Sequence, residues 1–461
     1  MSVSNQVSTI MGRHAIIIGG SMAGLLTARV LSEHFARVTI LERDPVDDVP
    51  EARKGQPQTR HLHALLARGL EIMTRYFPDL PEALAANGAI VGDLGDLVRW
   101  YTFGGYRLQR KTGLVGASMS RPLLEWLVRQ RVLALPAVRL IDNCRVEGLV
   151  FDASQQRVAG LQIERRDQEQ GLETMEADLV VDASGRGTLE AAGFGRPLES
   201  TVKVGVGYAT RLYRRKPSNV EETEFFIVTG EPPHDKRSGL IFPIEGDRWI
   251  CTLAGLAGDH PALDEEGFMA FARSLAAPDI YNQLVKLEPV SDIVGHKLPS
   301  SLRRHYEKMR TFPKGYLVLG DAICSFNPIY GQGMTSAAMQ AEALDTLLRE
   351  RPSTAMDGLA KEFFQRAARI VDIPWQLAVG ADFQYPETEG KKAMGTDLIN
   401  AYVTKVHRAT QHDPVVYQEF LKVMNLIQPP ASLFHPRIVG RVLRPRRIPV
   451  LRPAFEPVAG D

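Results

Sequence analysis

HAIIIGGSMAGLLTARVLSEHFARVTILERD, residues 14–44, is the stretch whose reading decides the fold. It opens on an apolar, β-branched run, Ala15 to Ile18, short enough to be a strand buried on both faces of a parallel sheet. A helical stretch follows from about Met22 to His34, and RVTILE returns as a second strand ending at Glu42. The spacing predicts a βαβ unit of about 30 residues. In the dinucleotide fingerprint G-x-G-x-x-G, Gly19 takes the first position and Gly24 the third, with Ser21, Met22 and Ala23 between them. The middle glycine of that pattern lets backbone approach a pyrophosphate at a helix N-terminus, where unpaired N–H groups and the helix dipole meet the charge. Serine adds only a small side chain whose hydroxyl can donate to phosphate. Glu42 lies 18 residues past Gly24, at the end of the second strand, with Arg43 beside it. A carboxylate there accepts both hydroxyls of an adenosine ribose and repels a 2′-phosphate, so the site is expected to take FAD or NAD rather than NADP.

Two later segments extend the pattern. ADLVVDASGRGT, residues 177–188, reads as an apolar strand, Leu179 to Val181, closed by Asp182 and a glycine-containing turn. GYLVLGDAICSFNPIYGQGM, residues 315–334, reads as a strand from Leu317 to Leu319, then Gly320 and Asp321, a loop, and a helix from about Gly333. An acid at the C-terminal end of a parallel strand stands where ligands bind. Asp321 is expected to accept a ribityl or ribose hydroxyl. Pro328 fixes the approach of the loop, and Gly331 and Gly333 let backbone lie close to a flat ligand. The helix then carries Met334, Ala337, Ala338, Ala341, Leu344 and Leu348 at helical spacing. Its N-terminus would face the pyrimidine edge of an isoalloxazine, where negative charge collects on reduction. An NAD site needs none of this, and FAD is the expected cofactor.

These three segments in this order, over residues 14 to about 350, resemble the flavoprotein monooxygenase superfamily that includes para-hydroxybenzoate hydroxylase. RKGQPQTRHLHALLARG (53–69), SRPLLEWLVR (120–129), FPIEGDRWICTLAG (242–255) and GDAICSFNPIYGQGMTSAA (320–338) resemble its branch of bacterial polyketide-tailoring enzymes, including the polyether epoxidases. The resemblance implies FAD pyrophosphate at Gly19, Ser21 and Gly24, ribose at Glu42, and Arg121 near the phosphates or the ribityl chain. It also implies Asp321 on the ribityl chain or pyrophosphate and the backbone of Gly331 to Met334 at the flavin pyrimidine. The Asp-Gly element of the aromatic hydroxylases is here Asp182-Ala-Ser-Gly-Arg, a departure that weakens the analogy to their manner of NAD(P)H use. Direct reduction by NAD(P)H and delivery of electrons by a separate flavin reductase both stay open. Arg60, His61 and His63 stand on a loop entering a helix, either at the cofactor's edge or as a solvated basic turn.

Between the second and third cofactor segments the texture changes. VGVGYATRLY, residues 204–213, alternates Val204, Val206, Tyr208, Thr210 and Leu212 on one face, and GLIFPIEGDRWICTLAG, residues 239–255, reads as two strands around a turn. Tyr208, Arg211, Phe242 and Trp249 are the candidate substrate contacts. The implied activity is that of an FAD-dependent monooxygenase with O2 as co-substrate, hydroxylating or epoxidising a large, mostly apolar, polyketide- or isoprenoid-like secondary metabolite through a flavin C4a-hydroperoxide. The cofactor carries that chemistry while the protein excludes water, so no triad or metal set is required. A flavin-dependent halogenase shares the scaffold, but the W-x-W-x-I-P segment of those enzymes is absent; DIPWQLA, residues 372–378, has one tryptophan and the wrong order. A reductase or oxidase on the same scaffold, like the geranylgeranyl reductases, also stays open, as does a non-catalytic flavin sensor.

The expected fold class is α/β: a Rossmann-like FAD-binding domain of the glutathione reductase type with an inserted β-sheet substrate domain and a helical C-terminal region. Residues 12–75, 110–199 and 296–352 are assigned to the FAD-binding domain, 76–109 and 200–295 to the substrate sheet or lid, and 353–461 to the C-terminal region. In that last region Pro374 is expected to break a helix, and another helix to run from about Asp397 to Thr410. The tail HPRIVGRVLRPRRIPVLRP holds Arg437, Arg441, Arg444, Arg446, Arg447 and Arg452 among apolar residues, a pattern that suits an anionic membrane, a carrier protein or the chain's own body.

A net charge of +1 over 461 residues, with 24% charged and 44% hydrophobic, gives no sign of a nucleic-acid binder or an acidic tail. Cys144, Cys251 and Cys324 are far apart, lack metal-ligand spacing and sit in or beside apolar runs, as expected of buried thiols in a reducing compartment. The polar first dozen residues carry no secretory pattern, no apolar stretch reaches the roughly 18 residues of a membrane span, and a cytoplasmic protein is expected.

Overall fold

A computed structural model describes residues 10–53, 55–166, 171–185, 194–216, 225–351 and 356–444. Its centre is a five-stranded parallel sheet in the order Tyr316–Val318, Leu179–Asp182, Gly12–Ile18, Phe35–Leu41, Val138–Ile141. Helices Met22–Leu31, Arg121–Leu133 and Gly333–Arg349 contribute to the core around it, and Ile16, Ile17, Leu25, Val180 and Leu344 are fully buried there. Near-continuous apolar runs are what strands covered on both faces require. In register, Ile18 lies beside Leu41 and Asp182, and Asp182 beside Val318. The loops that follow these strands therefore leave the sheet at one edge, where the three quoted segments converge. The α/β Rossmann-like fold expected from the sequence is the one observed.

The second sheet has seven strands in the order Val294–Leu298, Val206–Arg214, Arg248–Gly255, Arg237–Ile244, Phe225–Thr229, Val98–Thr102, Gly105–Tyr106. One face is sealed by helices Glu265–Arg273 and Asp279–Leu284 through a core containing Tyr213, Trp249, Cys251, Phe268 and Ile280. The other face looks across a cleft.

Three C-terminal helices, Thr396–Ala409, Pro414–Met424 and Pro436–Val442, pack on one another through Val406, Val416, Tyr417, Phe420, Leu421 and Ile438. Helix Leu359–Asp382 runs unbroken through Pro374, which corrects the expected break. A helical proline forfeits a hydrogen bond and crowds the preceding turn at a cost of about 3 kcal/mol. Burial of Phe363, Ala367, Val371, Ala378 and Pro374 itself offsets that loss. The three cysteines are buried, and among the described residues none is in a disulfide. Among those residues, too, no helix is long and apolar enough to cross a membrane.

Candidate active site

The pyrophosphate corner is built from the turn after the first strand. A Cβ on Gly24 would stand 1.9 Å from the carbonyl oxygen of Gly19, so only glycine lets helix Met22–Leu31 sit this tightly on the turn. Ser21 occupies the N-cap position without capping the helix. Its hydroxyl instead donates to Glu125 (2.9 Å) and accepts from Arg121 Nη2 (3.0 Å). Glu125 is buried, and although burial alone would raise its carboxyl, Arg121 and Arg53 hold it below the usual carboxylate range. Glu42 accepts from the backbone N–H of Gly20 (2.9 Å) and of Asp44 (3.0 Å) and is ion-paired with Arg53 at 3.0 Å. Arg53 and Glu125 thus stand behind the cleft lining and fix Glu42, Ser21 and Arg121, a supporting pair that the sequence reading does not single out. The i,i+4 spacing of Arg121 and Glu125 on one helix was the available signal.

The ring end is built from the third segment. Asp321 is exposed on the cleft wall, and the loss of bulk water around it inside the cleft pushes its carboxyl above the usual range against the opposing charge of Arg121. The Asn327 side chain accepts from Ile329 N–H and shapes the turn Pro328–Tyr330. Gly331 (φ 65°) and Gly333 line the cleft, and a Cβ on either would meet nothing within 4 Å. Helix Gly333–Arg349 starts without a side-chain cap, leaving first-turn N–H groups for a ligand. A backbone cradle that a side chain would fill, an uncapped helix N-terminus, and a buried Arg121 whose Nε has no hydrogen-bond partner together fit FAD.

Placement of the expected residues is uneven. Gly19, Ser21, Met22, Ala23, Glu42, Arg43, Arg121, Asp321, Pro328, Gly331, Gly333 and Met334 line one cleft. Gly24 acts from behind it. Asp182 does not reach it: its carboxylate is fully buried and accepts from Ser184 N–H (2.9 Å), Ser184 Oγ (2.6 Å) and Tyr316 OH (2.8 Å), so it shapes the turn Ala183–Gly185 that does line the cleft. Arg60 is exposed and away from the cleft, which His61 and His63 line instead.

On the sheet side Tyr208 and Phe242 face the cleft, whereas Arg211 and Trp249 do not. Arg211 pairs with Glu265, and Trp249 is buried on the opposite, helix-covered face. Register explains the division. Tyr208 pairs with Ala254 and His296, and Leu212 with Ile250, itself opposite Phe242; Tyr213 pairs with Trp249 on the other face.

His61 packs edge-on to Tyr208 at 4.5 Å and hydrogen-bonds through Nδ1 to Thr210 (2.8 Å). Burial, reinforced by neighbouring His296, His63 and Arg60, lowers its imidazole to about 3, and burial lowers His63 to about 4, so both are neutral at physiological pH. The third wall was not anticipated: Trp375, Leu377, Val403, His407, Phe420 and Leu433 bring the C-terminal helices into the same cleft. Its volume is about 1460 Å³. Single-ligand pockets span about 300–1,000 Å³, so this one has room for a dinucleotide and a second sizeable molecule. Of the tail arginines, Arg441 is paired with Asp413 at 3.0 Å, Arg437 and Arg444 are exposed, and Arg446, Arg447 and Arg452 lie outside the described residues, as does Arg186.

Comparison with known proteins agrees with this geometry. The model of the family described as "FAD binding domain" matches residues 13–372. Protein Rv3254 of Mycobacterium tuberculosis is 32% identical over 451 residues, covering 93% of each chain. Among solved structures, a flavoprotein/dehydrogenase from Cytophaga hutchinsonii superposes with a TM-score of 0.67 at 15% identity, over 90% of this chain and 92% of its own. The tetrameric form of 2-methyl-3-hydroxypyridine-5-carboxylic acid oxygenase superposes with a TM-score of 0.58 at 16% identity, over 90% and 98%. At such identities the structural likeness concerns the fold.

Proposed function

From the premise that this chain belongs to the FAD binding domain family, we propose that it is a monooxygenase that inserts one oxygen atom of O2 into a large, mostly apolar metabolite by hydroxylation or epoxidation. The observation that carries the reading is the single cleft of about 1460 Å³ joining the dinucleotide corner to an arm walled by Trp100, Phe225, Leu240, Phe242, Leu377 and Phe420. A reductase acting on small polar molecules has no use for such an arm. An oxygenase does, because its acceptor must lie beside the ring in a space that water does not enter. The oxygenase among the structural neighbours agrees with this choice without deciding it.

FAD, when bound, would supply the redox chemistry between an electron donor and O2. The chain's residues do the rest. Arg121 would hold the pyrophosphate, Glu42 would face the ribose and Asp321 would orient the ribityl chain, whereas the Ser21 hydroxyl, whose proton goes to Glu125, positions Arg121 rather than donating to phosphate as the sequence suggested. The first-turn N–H groups of helix Gly333–Arg349 would stabilise negative charge on a ring placed there. Neutral His61 and His63 leave that end of the cleft without added cationic charge. Electrons come from NAD(P)H directly or through a separate flavin reductase.

The test is to reduce the FAD-loaded protein photochemically, admit 18O2 with a panel of polyenes and hydroxylated aromatics, and analyse the organic products by mass spectrometry. One labelled oxygen in a product supports the proposal. Oxygen recovered only as hydrogen peroxide, at a rate that no member of the panel changes, sinks it in favour of an oxidase, reductase or sensor.

A further inference from the structure

Arg107 is a buried cation without an acidic partner among the described residues. It follows the hairpin Val98–Tyr106, is 4% exposed, and among the described residues has no carboxylate within ion-pair distance. Its guanidinium lies 4.2 Å from the ring centroid of Trp100 and 4.1 Å from that of Phe420. Nη1 donates to Thr410, Nη2 donates to His407 Nδ1 at 2.7 Å, and Nε is buried with no hydrogen-bond partner. Burial lowers the guanidinium to about 9, which leaves it charged at neutral pH. Two aromatic faces attract such a charge but do not neutralise it. A buried ion left in this state is costly unless it serves a ligand.

The contact with His407 dictates that residue's tautomer. A guanidinium only donates, so Nδ1 of His407 must accept and the ring proton must sit on Nε2. A second proton would face Arg107, and burial together with that charge holds the imidazole well below its ordinary range. The ring is clamped by Phe103, stacked at 4.5 Å, and by the edge of Phe420 at 5.1 Å. Phe103 holds a left-handed φ of 50° in the hairpin turn, an unusual conformation for a bulky residue that keeps the stack in place. His407, Phe103, Trp100 and Phe420 all line the cleft. The result is a neutral N–H donor, polarised from behind by a positive charge without a carboxylate partner among the described residues, beside the apolar walls Trp100, Leu377 and Phe420.

We propose that Arg107 and His407 form an anion-receiving subsite that binds the carboxylate of an amphiphilic substrate, whose apolar body extends along Trp100, Leu377 and Phe420 within the cleft. This rests on reading the arm as the substrate's place and narrows the substrate class to apolar carboxylic acids. His407 Nε2–H donates to the carboxylate, and Arg107 supplies the field that favours the ionised acid over a neutral analogue.

The experiment uses the FAD-loaded full chain and needs no turnover. Dodecanoate and 1-dodecanol are titrated separately below their aggregation limits, following the tryptophan fluorescence to which Trp100 and Trp375 in the cleft contribute. Dodecanoate is expected to bind about tenfold more tightly than the alcohol, the size of one charge-assisted hydrogen bond. His407→Phe, which keeps an aromatic ring between Phe103 and Phe420 but removes both the donor to the ligand and the acceptor of Arg107 Nη2, should melt lower and reduce the preference for the acid while FAD content holds. Arg107→Met should do the same where it folds, and the His407 variant decides the matter where it does not. Equal binding of acid and alcohol by the unaltered protein, no binding of dodecanoate, or a preference undiminished in His407→Phe would each overturn the subsite. Failure of the monooxygenase reading would show instead as absent oxygen transfer and would leave the acid-to-alcohol ratio as it stands.

Discussion

Asp382 ends the helix that carries Pro374, fully buried, with one carboxylate oxygen accepting from Asn327 Nδ2 at 3.0 Å and the other without a partner. Burial raises its carboxyl to about 7, with the Asn327 hydrogen bond opposing. A folded-state value above the unfolded one means that the native protein holds a proton the unfolded chain has released. Stability is therefore undiminished below about pH 4 and falls as pH rises toward 7, the full penalty being present above that. Asp382→Asn keeps the acceptor for Asn327 and cannot ionise. The melting temperature of the unaltered protein should fall relative to that of the variant between pH 5 and pH 8, by an amount worth roughly 2–4 kcal/mol. Parallel pH profiles would show that Asp382 does not titrate in this window. Asp321 makes the complementary case, a carboxylate open to the cleft. Asp321→Ala should weaken FAD by about tenfold, the value of a hydrogen bond to a charged group, and Gly333→Val should block the ring by filling its cradle. The ratio of flavin to protein absorbance after gel filtration reads both, and normal yellow protein from both would remove FAD from this site. The place of Asp321, Gly331 and Gly333 on the cleft is legible in the sequence because a strand-end acid and the glycines of the loop after it are set there by local geometry. Asp182 has the same local signature, and only Tyr316, distant in sequence, shows that its oxygens are taken.

At the scale of elements, the closeness of helix Met22–Leu31 to the turn before it is the most demanding contact. Gly24→Ala would place a methyl carbon 1.9 Å from a backbone oxygen, with no flexible side chain to yield. The helix must slide or the turn must open, and a cost above about 3 kcal/mol is expected, with loss of FAD. Denaturant titration of the apoprotein separates the two effects, and an unchanged midpoint would mean that the turn has slack. The seven-stranded sheet teaches a different lesson. Its alternation places Tyr208 and Thr210 on one face and Arg211 and Tyr213 on the other, so Arg211 was excluded as a partner of Tyr208 by parity alone. For Trp249 parity needed the cross-strand register, which pairs it with Tyr213 and which no reading of one strand supplies. Pro374 failed as a breaker for a related reason. Local propensity ends a helix there, and tertiary burial continues it.

The cleft belongs to the molecule as a whole: residues from Ile18 to Phe434 line it, and its C-terminal wall left no motif, since apolar helix faces look alike whether they cover a core or a ligand. Gly380 gives a way to test that wall. It lies within helix Leu359–Asp382, lines the cleft, has ordinary helical backbone, and a Cβ there would meet nothing within 4 Å. A side chain at this position would project into the cleft without distorting its neighbours. Replacing a helical glycine also removes a conformational cost of about 0.5–1 kcal/mol. Gly380→Ala and Gly380→Phe should therefore both keep FAD and melt slightly higher than the unaltered protein, while only the phenylalanine occupies the space of an apolar ligand. Titration with dodecanoate should show affinity nearly unchanged in the alanine variant and lowered by about tenfold or more in the phenylalanine variant, the equivalent of losing some ~1.4 kcal/mol of apolar contact. Equal binding by both would mean that ligands do not use this part of the cleft. A melting temperature lowered in both would mean that the space beside Gly380 is needed by the fold and not by a substrate.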